Sequence, residues 1–240
     1  MKIHFITYGN EKYIQSKERI KQEAIQSNFF DTITIYGPDD LDSNFKETYK
    51  NILNLPRIAG YGIWRPYLIK KILEIIEYDD ILIYLDAGCT INNYGKNRFD
   101  EYIKMLNQSE LGIISFQMSI HKEKIWTTKE IFKYFNLDMD GEIANSGQIN
   151  DGILIMKKNE HLITIINIWY DVIYDNVLLF TDYYNHIQVA YFKDNRHEQS
   201  IFSIIRKIYG SIVIEDETYF EPFGTQKALK YPFWATRIRC

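Results

Sequence analysis

The sequence predicts an α/β fold with a mostly parallel central sheet and helices on both of its faces. Three observations lead there. Segments rich in β-branched and aromatic residues alternate with stretches whose apolar residues recur at helical spacing, the pattern that sets helices between parallel strands. Turn-forming pairs such as Gly9-Asn10 and Gly37-Pro38 separate the segments. At 240 residues, with 46% hydrophobic and 25% charged residues, the chain can bury one sizeable core and is neither disordered nor collagen-like. One domain, residues 1–240, is expected, because no linker, repeat or low-complexity tract divides it.

The elements follow in order. "KIHFITYGN" (2–10) is a first strand with a turn behind it, and "YIQSKERIKQEAIQ" is a helix with Ile14, Ile20, Ala24 and Ile25 at near-helical spacing. "DTITIYGPDD" returns as a second strand, completing a β-α-β unit. In "GYGIWRPYLIKKILEII", Pro66 suits the first turn of a helix whose inward face is Leu68, Ile69, Ile72, Leu73 and Ile76. Asp79-Asp80 then leads into "ILIYL" (81–85), expected as a central strand. "NRFDEYIKMLN" reads as a helix, "LGIISFQM" as a strand, and "TTKEIFKYF" as a helix opened by a Thr127–Glu130 capping box. "GILIMKKN" (152–159) is a strand and "HLITIINIWYDVI" a helix; "NRHEQSIFSIIRKIYG" is a helix stopped by Gly210, before the strand "SIVIED".

Charge and motif content exclude several functions. A net charge of -4 and a pI near 5.8 supply no field for phosphate backbones, so nucleic acid is not an expected partner. Cys89 and Cys240 make no disulfide framework and fit a reducing compartment as free thiols. Strand-like residues begin right after Met1-Lys2, leaving no room for a signal peptide, and no apolar run approaches a transmembrane span. A cytoplasmic protein is expected, with peripheral action at a membrane still open. The five histidines are scattered, and HExxH, CxxC, Walker A and GxGxxG patterns are absent.

Three clusters can carry chemistry. Asp86 ends the strand at 81–85, where open α/β sheets bind ligands, and Ala87-Gly88 lets a ligand approach the backbone. The alternative is an Asp capping a turn. In "RHEQS" (196–200), Glu198 and Gln199 open a helix whose N-terminus favours anions, although Asn195 and Glu198 also read as a capping box. In "RIAGYGIWRPY" (57–67), Arg57 and Arg65 can clamp a diphosphate while Tyr61 or Trp64 stacks on a ring; otherwise they surround a core tryptophan. The tail "YPFWATRIRC" adds Arg237 and Arg239, or is a solvated edge.

These pieces together resemble the GT-A glycosyltransferases, in particular small single-domain members of surface-polysaccharide gene sets and large DNA viruses. The likeness rests on the order of "HFITYGN", "GYGIWRPYLI", "YLDAG", "INDGILIM", "RHEQSIFS" and "PFWATRIR". It implies the GT-A fold and transfer of a sugar from a nucleoside diphosphate sugar, UDP-linked by default, to a glycan or other hydroxyl acceptor. By the resemblance Thr7, Tyr8 and Gly9 line the nucleotide pocket, and Asp86 is the first acid of the Asp-X-Asp motif, beside metal and ribose. Tyr84, Ala87 and Gly88 flank it. Asn150, Asp151 and Gly152 lie beside the sugar. Glu198 and Gln199 match the Asp-Gln pair of glycogenin-like enzymes, face the anomeric carbon and imply retention.

The chain departs from the family pattern at four positions. Gly88 replaces the second acid, and Gly62, Arg65 and Glu198 stand where the pattern carries Trp, Lys and Asp. The resemblance therefore implies either Mg²⁺ or Mn²⁺ held by Asp86, waters and substrate phosphates, or arginines 65, 237 and 239 neutralising the diphosphate. Two rival readings stand beside transfer. One is a non-catalytic nucleotide-sugar-binding module on the same fold. The other is a nucleotidylyltransferase, which lacks its glycine-rich loop here.

Overall fold

A computed structural model of the chain describes residues 1–184 and 186–238. Its strands are β1 (Ile3–Tyr8), β2 (Thr32–Tyr36), β3 (Ile81–Leu85), β4 (Thr90–Ile91), β5 (Ile113–Lys122), β6 (Gly147–Ile149), β7 (Ile153–Lys157), β8 (Ile212–Glu215) and β9 (Phe233–Trp234). Seven of them form one sheet in the order β2-β1-β3-β7-β5-β6, with β8 alongside β5. The pairings set β1, β2, β3, β5 and β8 in one direction and β6 and β7 in the other, so the sheet is mostly parallel as expected.

Alternation along the strands decides what meets what. Leu82 and Tyr84 of β3, with Ile6 and Tyr8 of β1, point into a core built by α3 (Trp64–Ile75), α6 (Glu160–Asn176) and α7 (Glu198–Tyr209), to which α2 (Ser43–Thr48) adds Phe45. Ile81, Ile83 and Leu85 point the other way, against α1 (Ile14–Ser27) and α4 (Lys96–Asn107). The period of two explains why "ILIYL" is apolar throughout: both faces of β3 are covered. It also sends Asp86, one step beyond Leu85, to the same side as Tyr84, toward α3.

Because β7 runs against β3, with Ile153 opposite Leu85, the residues entering β7 stand beside those leaving β3. The Asp86 amide donates to the Gly152 carbonyl at 2.9 Å. The C-terminal segment closes the same edge. β9 pairs antiparallel with β4, the Asn92 side chain donates to the carbonyls of Leu229 and Tyr231, and the Ile238 amide donates to Gly88 at 2.9 Å.

Some local expectations are corrected. Ile14 and Ile25 are exposed; the inward face of α1 is Ser16, Ile20, Ala24 and Ser27. Thr128, not Thr127, caps α5 (Lys129–Tyr134), because the Thr127 hydroxyl is committed to Glu123. The stretch Glu160–Phe180, 21 residues that include an 18-residue window of mean hydropathy 1.3, is long and apolar enough to cross a membrane, contrary to the sequence expectation. Its apolarity has a packing explanation, since Leu162, Ile165, Ile166, Trp169, Val172 and Ile173 are all buried between α3, α7 and the sheet.

Trp169 stacks on Phe202 of α7 with ring centroids 3.9 Å apart and planes 5° from parallel. Trp169→Ala should lower unfolding free energy by about 3–5 kcal/mol in urea titrations, through lost burial and the cavity left behind. A loss below about 1 kcal/mol would remove this joint from the core.

Candidate functional site

A cavity of about 400 Å³ opens where β1 and β3 end and β7 begins. Under it lies Arg65, third-residue neighbour of Gly62 and buried on the first turn of α3. Its Nη2 donates to Asp86 Oδ1 at 2.7 Å, and its Nη1 to Asp151 Oδ2 at 2.7 Å and Glu198 Oε1 at 2.9 Å. The Tyr84 hydroxyl donates to the same Asp86 oxygen at 2.6 Å and accepts from Arg65 Nη2 at 3.3 Å. The guanidinium carbon also lies 4.9 Å from the Tyr84 ring centroid and 5.3 Å from that of Trp64.

Three carboxylates and one guanidinium leave excess negative charge, and burial decides who carries the proton. Side-chain exposure is 45% for Asp86 but 5% for Asp151 and 4% for Glu198. Burial pushes Glu198 well above its usual carboxyl range; Arg65 pulls it down, and Asp151 adds to the rise. Asp151 is also raised by burial, with Arg65 opposing and Asp86 assisting. For Arg65, burial favours the neutral form, but Tyr84 and the three carboxylates outweigh it, so the guanidinium stays charged. Asp86 is the one member of the cluster that presents a large part of its side chain, and its Oδ2 accepts no hydrogen bond from the described residues.

The expected capping role of Glu198 is not what the geometry uses. Asn195 donates its amide to the carbonyls of Leu179 and Thr181, and His197, at φ 56°, is the N-cap residue of α7 without a side-chain cap. Glu198 is free to reach Arg65. Room for it comes from Gly62, at φ 74°: a Cβ there would stand 2.5 Å from Glu198 Cδ. Gly62 ends a run, residues 58–62, in which every φ lies between 50° and 88°. This left-handed turn sets Ile58 and Ala59 on the cavity and is secured by the Trp64 indole donating to the Ile58 carbonyl at 3.2 Å.

Of the residues singled out from sequence, Tyr8, Gly9, Arg57, Trp64, Arg65, Tyr84, Asp86, Ala87, Gly88, Asn150, Asp151, Glu198, Gln199 and Arg237 surround this one cavity. Two do not. Thr7 follows the parity of Phe5 and is buried off the cavity, and Tyr61 is buried with its ring 4.8 Å from that of His197. Arg239 lies outside the described residues. Other expected roles change. Arg57 is paired with Asp182 at 3.0 Å and Asp194 at 2.6 Å. Trp64 is stacked on Tyr8 at 3.8 Å, so that face is closed to a ligand ring. Gly88 does not clear space for a ligand: a Cβ there would meet Ile238 O at 3.2 Å and Arg237 Cα at 3.3 Å.

Sequence reasoning missed Asn10 and Tyr13 behind β1, Met118 on β5, and Arg196 and His197. Arg196 and His197 are the first two residues of "RHEQS", so the same motif carries their signal. Tyr13 and Met118 carry no local pattern. Arg196 is fixed by stacking on Trp126, 4.1 Å from the ring centroid, and by donating to Gln148 Oε1 at 3.3 Å, which also accepts from Gln199 Nε2 at 2.6 Å.

The expected metal at Asp86 fits this donor set poorly. Among the described residues no group of three His, Cys, Asp or Glu side chains could hold a metal ion. Asp86 Oδ1 is already shared by Arg65 and Tyr84, and the place of a second acid, Gly88, is packed under the C-terminal segment.

No protein-family model matches the chain, and no curated protein matches it in sequence. Solved structures do. The structure of a glycosyltransferase involved in glycosylation of the major capsid of the virus PBCV-1 aligns over 98% of this chain and 93% of its own, with TM-score 0.54 and 12% identity. Mouse xyloside xylosyltransferase 1 aligns over 91% and 87%, at TM-score 0.49 and 10% identity. The glycosyltransferase GlyE of Streptococcus pneumoniae TIGR4 aligns over 90% of this chain and 46% of its own, at TM-score 0.48 and 14% identity. The viral match establishes a shared fold, and with it the GT-A architecture expected from the motifs.

Arg65→Met should destabilise the protein by about 3–5 kcal/mol at neutral pH, since it leaves buried carboxylates uncompensated; part of the loss should return in acid as they protonate. Chemical denaturation at both pH values measures this, and a loss that does not depend on pH would contradict it. The raised Glu198 pKa has its own sign. The folded protein holds that proton more tightly than the unfolded chain, so its stabilisation is complete below the ordinary value of 4.5 and disappears as pH rises through the folded value. Glu198→Gln should flatten the fall in stability above that pH, and a slope equal to wild type would exclude Glu198 as the titrating group.

Proposed function

We propose that the chain is a glycosyltransferase acting as one unit over residues 1–240. It moves a sugar from a nucleoside diphosphate sugar, UDP-linked by default, to a hydroxyl of a glycan or other acceptor, in the cytoplasm. Polysaccharide biosynthesis is the setting that the motif resemblance favours. The observation that carries the reading is Asp86, a half-exposed carboxylate at the carboxyl end of β3 on a cavity of about 400 Å³. Arg65 and Tyr84 fix one of its oxygens, and the other is left for substrate hydroxyls.

Transfer breaks the bond between the anomeric carbon and the diphosphate, whose oxygen keeps the electron pair. The acceptor oxygen bonds to the same carbon and gives its proton to the departing diphosphate. Delivery from the same face retains configuration, the outcome that the Glu198-Gln199 pair favours by resemblance. Positive charge develops on the sugar, and a fixed carboxylate such as Asp86 stabilises it without reorganising. Gln199, its amide nitrogen engaged by Gln148, keeps a carbonyl oxygen for the same charge. Asp151 and Glu198 act beneath, holding Arg65 and through it Asp86. Tyr13, half-buried behind Gly9, is suited to stack on the nucleobase.

A second reading, a nucleotide-sugar-binding module without turnover, draws on the missing second acid at Gly88. Calorimetry with a panel of nucleotide sugars followed by donor-hydrolysis and transfer assays separates the two: binding without hydrolysis favours the module. For the enzyme, Asp86→Asn should lower turnover by about 10²-fold or more with little loss of stability. Activity within a few-fold of wild type would remove Asp86 from the mechanism.

A further inference from the structure

A departing diphosphate needs positive charge beside it, yet Arg65 is committed to three carboxylates, Arg57 to two, and among the described residues no group of three metal-ligating side chains forms. We infer that Arg196 and Arg237 together bind the diphosphate directly, in place of a divalent cation. The ligand's identity rests on the nucleotide-sugar reading; the anion subsite rests on the geometry below.

Both arginines line the cavity, and neither forms an ion pair among the described residues. Arg196 is built in. Its guanidinium stacks on Trp126, and Nη1 donates to Gln148, which is buried and itself held by Glu123, Thr127 and Ser200. Only Gln148 and the Met118 sulfur receive Arg196 side-chain bonds, so Nε and Nη2 donate to none of the described residues. Arg237 arrives on the C-terminal segment, which the Thr236 hydroxyl and the Ile238 amide fasten to the Gly88 carbonyl, each at 2.9 Å. Arg237 itself has φ 56°, a conformation that persists where the surroundings impose it.

The Arg237 backbone packs where a Cβ on Gly88 would project. The chain has thus exchanged the acid that would share a cation for a backbone that brings a cation of its own. The two guanidinium groups repel: burial and then Arg237 lower the Arg196 pKa, and burial and then both arginines lower that of the adjacent His121. Asp151, Glu123 and Asp194 offset part of this repulsion from a distance, without an ion pair to Arg196, and an anion held between the two guanidinium groups relieves the rest. Forked guanidinium donors match phosphate oxygens, and they hold a leaving diphosphate without needing to reorganise.

The test is calorimetry on the full chain, in EDTA and again with Mn²⁺, using inorganic pyrophosphate and then UDP, GDP and ADP. Wild type should bind pyrophosphate equally in EDTA and Mn²⁺. Arg196→Gln and Arg237→Gln should each weaken it by about tenfold or more, Arg196→Lys by less, and Lys71→Gln, an exposed residue of α3 that does not line the cavity, not at all. Denaturation curves confirm that the variants fold. Pyrophosphate binding that vanishes in EDTA and returns with Mn²⁺, that is absent altogether, or that survives in the double Gln variant overturns the inference. Arginine-dependent pyrophosphate binding with no nucleoside diphosphate binding any tighter keeps the anion subsite and sinks the nucleotide-sugar reading instead.

Discussion

Burying one guanidinium among three carboxylates is the constraint around which this end of the molecule is arranged. Arg65 is almost wholly buried, so its charge must be met inside the protein, and Asp86, Asp151 and Glu198 reach it from the end of β3, the entry to β7 and the start of α7. Replacing such a cluster by apolar groups is often neutral for stability. What the cluster supplies here is orientation. It ties three separate pieces of chain to one planar fork and leaves Asp86 as the member that faces the cavity.

Positions 62, 65 and 198, where the chain differs from the glycosyltransferase pattern it resembles, belong to a single contact. Glu198 is one methylene longer than Asp, and its carboxylate occupies the volume a side chain at 62 would need; Gly62 supplies both that space and the positive φ of the left-handed turn. The fork of Arg65 then serves Asp151 and Glu198 from one nitrogen and Asp86 from the other, which a lysine ammonium would not do in the same plane. Seen as a group, the three changes compensate one another.

A similar exchange operates on the opposite wall. Gly88 permits the C-terminal segment to lie across the loop after β3, and with that segment comes Arg237. Arg196 faces the same cavity from the turn before α7, held by Gln148, which also holds Gln199. Positive charge that cannot come from the committed Arg65 is available from residues whose fixed surroundings are already formed before any ligand arrives.

The sequence by itself determined the succession of β1, β2, β3, β5, β7 and β8 and of the longer helices between them, because period-two and helical spacing follow from backbone geometry; the short strands β4, β6 and β9 carry too few residues for a period to show. It indicated that Asp86 ends a buried strand, at the edge where open α/β sheets bind ligands, with a turn-capping acid as the alternative, and it marked most of the cavity wall through residues adjacent to strand ends. It misjudged Thr7 and the capping of α5, where one residue of parity or register changes the answer. Which charges remain free was decided by tertiary structure alone. Whether Arg57, Arg65, Arg196 or Arg237 keeps an unpaired guanidinium depends on carboxylates that lie 86 to 137 residues away along the chain for Asp151, Asp182, Asp194 and Glu198. Electrostatic pairing acts through distance in space, and no spacing along a single chain records it.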